Sequence, residues 1–196
     1  MKIILISSSP RAKSRTLELA TNTLETLNKL GVQTEIYSVR GKDIKHCRAC
    51  NRCKVVGSCV IKDDMQELYI KLKEADGIII ASPVYFYDIN SQLKTIIDRT
   101  YAIQPMNGNK VGATIVTAGS IGHSGAIKTV ETFFTVHGIA NTGFISAYAT
   151  KEELVKAKES ANNLGNKMFE AIKLLKDSKT EPFRMLNHYS YGTHTL

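Results

Sequence analysis

Lys2-Ile3-Ile4-Leu5-Ile6, then Ser7-Ser8-Ser9-Pro10, then Arg11-Ala12-Lys13-Ser14-Arg15-Thr16, is the stretch that decides the architecture. Its first five residues form a short β-branched run that reads as a buried strand, and the serines and proline stop it with a turn. Behind the turn, Leu17, Ala20, Leu24, Leu27 and Leu30 recur at helical spacing, and Gly31 stands where a C-terminal cap belongs. A strand leading through a hydroxyl-rich turn into an amphipathic helix is half of a βαβ unit.

Outward from that unit the alternation repeats. Residues 32–39 alternate apolar and polar side chains, which predicts a second strand. Residues 41–62 follow neither period and read as a long functional loop. Residues 63–74 suit a helix capped by Asp63 or Asp64, and residues 77–81 form an unbroken apolar strand that Pro83 should end. A helix over 90–101 carries Leu93, Ile96, Ile97 and Tyr101 on one face, and residues 111–117 make a fourth strand. Gly119, Gly122 and Gly125 punctuate the next loop. A helix over 125–137, a strand over 144–149 and an amphipathic helix over 151–176 complete the pattern, the last burying Leu154, Ala161, Leu164, Met168, Ile172 and Leu175. Strands alternating with helices imply an α/β fold: a parallel sheet covered on both faces, with right-handed crossovers. Five such units fit a flavodoxin-like three-layer sandwich with strand order 2-1-3-4-5 and a cysteine-rich loop, residues 44–62, after strand 2. Residues 1–176 then form one domain. The tail, 177–196, lacks a period but carries Phe183, Met185, Leu186, Tyr189 and Tyr191, and is expected at a subunit interface.

The 196 residues are 43% hydrophobic and 22% charged, which suits one folded domain and excludes disorder as the main state. No apolar stretch approaches the roughly 18 to 20 residues of a membrane span, and the N-terminal run is too short for a signal-peptide core, so a soluble cytoplasmic protein is expected. Lys and Arg number 26 against 18 Asp and Glu, a net charge of +8. The lysines are scattered along the helices without interleaved aromatics, so neither nucleic acid nor a membrane is an expected partner. No Ser/His/Asp set or paired carboxylates point to hydrolysis. His123, in the glycine loop, reads as a solvated side chain; His46 could tune its neighbour Cys47; His137 should end a helix where a positive charge suits the dipole. Asp98 and Arg99 read as a structural ion pair.

In an open α/β sheet, ligands lie beyond the carboxyl ends of the strands, so the loops after strands 1, 3 and 4 should build the site. The first supplies hydroxyls, amides, Arg11, Lys13 and Arg15 at a helix N-terminus, which is anion-binding chemistry. The P-loop glycine-lysine pattern and GxGxxG are both missing, and a terminal phosphate monoester fits better than a nucleotide triphosphate or dinucleotide. At Ser9, Pro10, Arg11, Ser14 and Thr16 the chain resembles the flavodoxin-like NADPH-dependent FMN reductase family. The resemblance continues through residues 81–87, Gln92-Leu93-Lys94, Ile97-Asp98-Arg99 and Thr117-Ala118-Gly119 with Gly122 and Gly125. It implies that Ser9, Arg11, Ser14, Arg15 and Thr16 hold the FMN phosphate. It further implies that Pro83, Val84, Tyr85 and Phe86 line the isoalloxazine edge, and that Thr117, Ala118, Gly119 and Gly122 close over the ring. A bare glycine loop also lets amides approach flavin heteroatoms.

All four cysteines fall in one run, Cys47-x2-Cys50-x2-Cys53-x5-Cys59, with Gly57 turning the chain before the fourth. Three thiolates at x2 spacing can take three corners of a cubane and Cys59 can return to the fourth, so count and reach fit a [4Fe-4S] cluster. Structural zinc more often uses two separated Cys-x2-Cys pairs, and zinc or free redox-active thiols remain the alternatives. Together with the flavin motifs, the run resembles the iron-sulfur flavoproteins. That resemblance implies FMN, one [4Fe-4S] cluster held by Cys47, Cys50, Cys53 and Cys59, and a homodimer or homotetramer. Lys45, His46, Arg48, Arg52 and Lys54 around the cysteines would favour thiolates and could dock an acidic carrier such as ferredoxin. The first functional expectation is an FMN-dependent electron-transfer oxidoreductase whose chemistry rests on its cofactors. The second is an NAD(P)H-dependent FMN or quinone reductase with a structural cysteine loop, and the third a redox-sensing flavin-binding protein.

Overall fold

The apolar run at the N-terminus forms β1 (Lys2–Ser7), and alternate residues of it serve opposite faces of one sheet. In the computed structural model, which describes residues 1–106 and 109–178, Ile4 and Ile6 enter one core while Ile3 and Leu5 enter another. The same division splits Ile78 and Ile80 from Ile79 and Ala81 in β3 (Gly77–Tyr85). A strand buried on both faces needs helices on both sides, and the order of elements supplies them. Helices α1 (Arg15–Lys29) and α6 (Lys151–Asp177) cover one face; α3 (Met65–Glu74), α4 (Ser91–Arg99) and α5 (His123–His137) cover the other.

The parallel strands run in the order β2-β1-β3-β5-β6, where β2 is Gln33–Ser38, β5 is Val111–Ala118 and β6 is Ala140–Tyr148. This is the predicted 2-1-3-4-5 arrangement; the numbers shift because a two-residue β4 (Asp88–Ile89) pairs antiparallel with the end of β3. The strand order reverses between β1 and β3, so the loops leaving those two strands flank a crevice.

Three local expectations are corrected. Pro83 does not end β3, which runs on to Tyr85 with Pro83 opposite Thr117 of β5. The Ala81 carbonyl accepts the Ser8 amide on the β1 side, so Pro83, two residues on, turns its donor-less nitrogen to the same side, past the last β1 partner. Leu30 lies beyond α1 and is exposed, whereas Leu19 and Thr23 join Leu24 and Leu27 in its buried stripe. Within the cysteine loop a five-residue α2 (Arg52–Val56) forms, closed by Gly57 at positive φ. The expected interface role of the tail falls on residues 179–196, outside the described residues. No helix among the described residues is long and apolar enough to cross a membrane.

Candidate functional site

The loop after β1 is fastened where it leaves the sheet. The Ser8 amide donates to the Ala81 carbonyl (3.0 Å), and the Ser8 carbonyl accepts Asn90 Nδ2 (2.5 Å). Asn90 is fully buried, and its Oδ1 also accepts the Leu93 amide (3.1 Å), capping α4. One side chain thus ties the first loop to the third βα connection. Sequence reading placed Asn90 as an ordinary first helical residue, although its N-cap chemistry was the available signal. Ser9 is buried and its Oγ accepts the Arg11 amide (3.4 Å); Ser14 caps α1 by accepting the Leu17 amide (3.1 Å). Thr16 is buried with its hydroxyl 2.5 Å from that of Thr117, which brings two predicted residues from β5 and α1 together across 101 positions. Arg15 turns along the helix to Glu18 (2.9 Å), leaving Arg11 and Lys13 as the exposed cations of the loop.

On the other side of the crevice, β3 and β4 form a hairpin whose two-residue turn is Phe86-Tyr87, at φ 47° and 67°. Turns with two positive φ values favour Asn-Gly pairs, and two aromatic residues there store strain of about 1–3 kcal/mol each. The turn rests on the start of α5. A Cβ on Gly125 would stand 2.2 Å from the Tyr87 carbonyl oxygen, and one on Gly122 would stand 2.8 Å from Tyr87 Cα. Gly122 therefore serves the hairpin's close approach. A Cβ on Gly119 meets nothing, and this bare loop with Val84, Phe86, Tyr87, Ser120 and Ile121 encloses a cleft of about 220 Å³. Of the predicted ring residues, Val84, Phe86 and Gly119 line this cleft; Pro83, Tyr85, Thr117 and Ala118 lie on the strand ends beside it. Tyr87, Ser120 and Ile121 had not been singled out as ring-cleft residues. Aromatic and aliphatic side chains beside exposed backbone, with a nearby hydroxyl-rich helix start, fit a flavin bearing a phosphate. His123 is engaged with the protein, its Nε2 3.1 Å from the Ala147 carbonyl and its ring edge-on to Tyr148.

The cysteine loop occupies the other helix layer. Cys47 and Cys50 are exposed, Cys53 and Cys59 half-buried, and all four are free thiols lining one cavity of about 750 Å³ with α4, the 3-10 turn after it, and α5. Ala49 and Asn51 take left-handed backbone between the x2-spaced cysteines. Burial, then Cys59 and Cys47 nearby, push the Cys53 thiol up. Among the described residues, no three His, Cys, Asp or Glu side chains converge as a preformed metal site. The donor set itself fits an iron-sulfur cluster: four free sulfurs on one cavity wall.

The base of the loop is pinned by a buried ion pair that sequence reading misassigned. Arg99 was paired with Asp98, but adjacent helical side chains diverge, and Asp98 instead pairs with Lys94 one turn earlier. Arg99 reaches Asp63, Nη1 to Oδ2 at 2.8 Å and Nη2 to Oδ1 at 3.0 Å, with side-chain exposures of 1% and 0%. Burial would raise the Asp63 carboxyl, but Arg99 and the amides of Lys45 and Met65 outweigh it and hold it below the ordinary carboxylate range. His137 is likewise corrected. It ends α5, yet it is 2% exposed, with Nε2 3.0 Å from the Thr100 hydroxyl, and burial pushes its pKa down to about 4. It is neutral at neutral pH and offers the helix dipole no charge.

Residues 1–152 match the family model described as NADPH-dependent FMN reductase. An iron-sulfur flavoprotein of Methanocaldococcus jannaschii is 35% identical over 192 residues, spanning 90% of this chain and all of the relative. One from Methanosarcina thermophila is 30% identical over 189 residues, spanning 91% and 99%. Among solved structures, RosB with a bound formylriboflavin phosphate intermediate superposes with a TM-score of 0.77 at 15% identity, over 92% of this chain and 82% of that one, which supports the fold. The strand-end crevice, the matched family model and these relatives agree: the chain belongs to the NADPH-dependent FMN reductase family, alongside its iron-sulfur flavoproteins, and is a flavin-dependent oxidoreductase.

Proposed function

We propose that this protein passes electrons between a [4Fe-4S] cluster held by Cys47, Cys50, Cys53 and Cys59 and FMN held at the ends of β1, β3 and β5. The observation that carries the reading is that the chain's only four cysteines line one cavity on a loop of a flavin-binding fold. When bound, FMN supplies one- and two-electron chemistry and the cluster single-electron steps. Ser9, Arg11, Ser14, Arg15 and Thr16 contribute the phosphate side: Arg11 brings free charge, Ser9 and Ser14 order the turn, and the Thr16–Thr117 contact seats α1 against β5. Val84, Phe86 and Gly119 flank the ring, with Pro83, Tyr85, Thr117, Ala118 and Gly122 shaping the walls behind. The basic face around Arg48, Arg52 and Lys54 suits an acidic carrier such as ferredoxin, in the cytoplasm, with the protein a homodimer or homotetramer.

The second reading is an NAD(P)H-dependent reductase in which hydride reaches the flavin directly; the family's own description favours it. Anaerobic stopped-flow reduction separates the two. Reduced ferredoxin should bleach cluster and flavin absorption faster than NADPH does, and neutralising Arg48, Arg52 and Lys54 together should slow that reaction and flatten its salt dependence. Rapid reduction by NADPH with no response to ferredoxin would select the reductase.

A further inference from the structure

Arg99 does more than neutralise Asp63. Its Nη1 also donates to the Lys45 carbonyl (2.6 Å), while the Lys45 amide donates to Asp63 Oδ2 (2.9 Å). Lys45 precedes the first cysteine by two residues and Asp63 follows the last by four, so a single guanidinium-carboxylate pair fastens both ends of the segment that holds all four thiols. A planar fork suits this, because it can bind a carboxylate through two nitrogens and still reach a carbonyl. The pair is itself immobilised. The Tyr69 hydroxyl donates to the Arg99 carbonyl (2.8 Å), the Met65 amide donates to Asp63 Oδ1 (3.2 Å), and the Asp43 amide donates to Asp64 Oδ2 (2.6 Å).

The four cysteines are not equivalent with respect to this clasp. Cys59 packs against the core that contains Tyr69, and it lies within electrostatic reach of both the Tyr69 phenol and the Arg99 guanidinium. Its backbone stretch is anchored too: Gln66 Nε2 donates to the Ile61 carbonyl (2.6 Å) and to that of Cys59 (3.4 Å). Cys47 and Cys50 stand exposed on irregular backbone. A buried ion pair is seldom retained for stability alone, since apolar residues of similar volume stabilise as well or better. Its placement at the neck of the cysteine loop points to a role in the loop's geometry.

We propose that Arg99, locked by Asp63, is the positioning residue of the cysteine loop: it ties the loop's two ends together and holds Cys59 as the fixed corner onto which Cys47, Cys50 and Cys53 close. This rests on reading the four cysteines as one ligand set, but the clasp acts in the metal-free protein and is tested there.

The test compares the metal-free full chain with the double variant Arg99→Met/Asp63→Asn and with Arg99→Lys. The double variant leaves no unpaired buried charge and keeps one side-chain acceptor for the Lys45 and Met65 amides, which Asp63 takes on separate oxygens, and Arg99→Lys keeps the charge but loses the fork. Hydrogen exchange over residues 44–62 should accelerate about tenfold or more in both, with β1 and β3 protection unchanged. Competitive alkylation with iodoacetamide, mapped by mass spectrometry, should raise the Cys59 rate toward that of exposed Cys50, whereas general loosening would raise half-buried Cys53 as much as Cys59. Unchanged exchange and an unchanged Cys59-to-Cys50 ratio in folded variants would overturn the proposal, as would a rise at Cys53 equal to that at Cys59. If the double variant loses β1 and β3 protection, Arg99→Lys alone decides on the same two readouts. Iron reconstitution is the separate arm: a wild-type chain that takes up no iron defeats the cluster reading, while exchange and alkylation still decide the clasp.

Discussion

The loops proposed to hold the flavin are fastened residue by residue to strand ends, whereas the cysteine loop is fastened mainly at its neck, with Lys54 resting over the Tyr101 ring farther along. Ser8, Ser9, Asn90 and Thr16 are all buried within the first of these regions; Ser8, Asn90 and Thr16 each bond to a neighbouring element, and Ser9 bonds within its own turn. Between Cys47 and Gly57 every residue but Cys53 is exposed, and order enters through Asp63, Arg99 and Gln66. A crevice at a switch point exists because the sheet exists, so the fold positions its walls without a ligand. A ligand run on a loop has no such scaffold and depends on a few polar fasteners plus the group it binds. The difference teaches that the two sites should fail separately.

The most severe break expected is chemical. Cys59→Ala should abolish stable cluster assembly, measured as loss of nearly all bound iron, while FMN content stays near one per chain; joint loss of both cofactors would show the sites to be one unit. Acid should next loosen the cysteine-side layer. His137 is held neutral by burial with a pKa near 4 against an ordinary 6.5, so below about pH 6.5 the unfolded chain takes up the proton first. Stability contributed above that pH should fall by about 3 kcal/mol as pH drops to 4. In denaturant titrations at stepped pH, His137→Gln should flatten this acid limb.

The flavin side offers the complementary break. Gly125→Ala forces a methyl into the Tyr87 carbonyl, a backbone atom that cannot swing aside. It should destabilise by about 1–3 kcal/mol and weaken FMN binding, with iron content unchanged. The smallest effect expected is Ser14→Ala, which removes the α1 cap and should cost about 1 kcal/mol of stability with a matching loss of FMN affinity, read by fluorescence titration.

The same contrast governs what the sequence made legible. Strand and helix periods are local, so the layers, the strand order and the loops of the crevice could be read from residues 2–6, 77–81 and 111–117 and the helices between them. The four-cysteine run was legible because ligand spacing is local too. What escaped depends on tertiary pairing. Arg99 meets Asp63 across 36 positions, and nothing near either marks the other. The Phe86-Tyr87 turn carries no glycine or asparagine to mark it, and the glycines that admit it against α5, Gly122 and Gly125, lie on another element. Pro83 was read as a stop because its harmless orientation depends on where β1 ends, and His137 as a charge because its burial depends on Thr100 and Phe133.

The most direct test of the account is the amount of iron and acid-labile sulfide per FMN in protein purified without oxygen, with zinc counted alongside. About four irons and four sulfides per FMN are predicted. FMN with neither iron nor sulfide, or with zinc in their place, would contradict the cluster and leave Cys47, Cys50, Cys53 and Cys59 to another role.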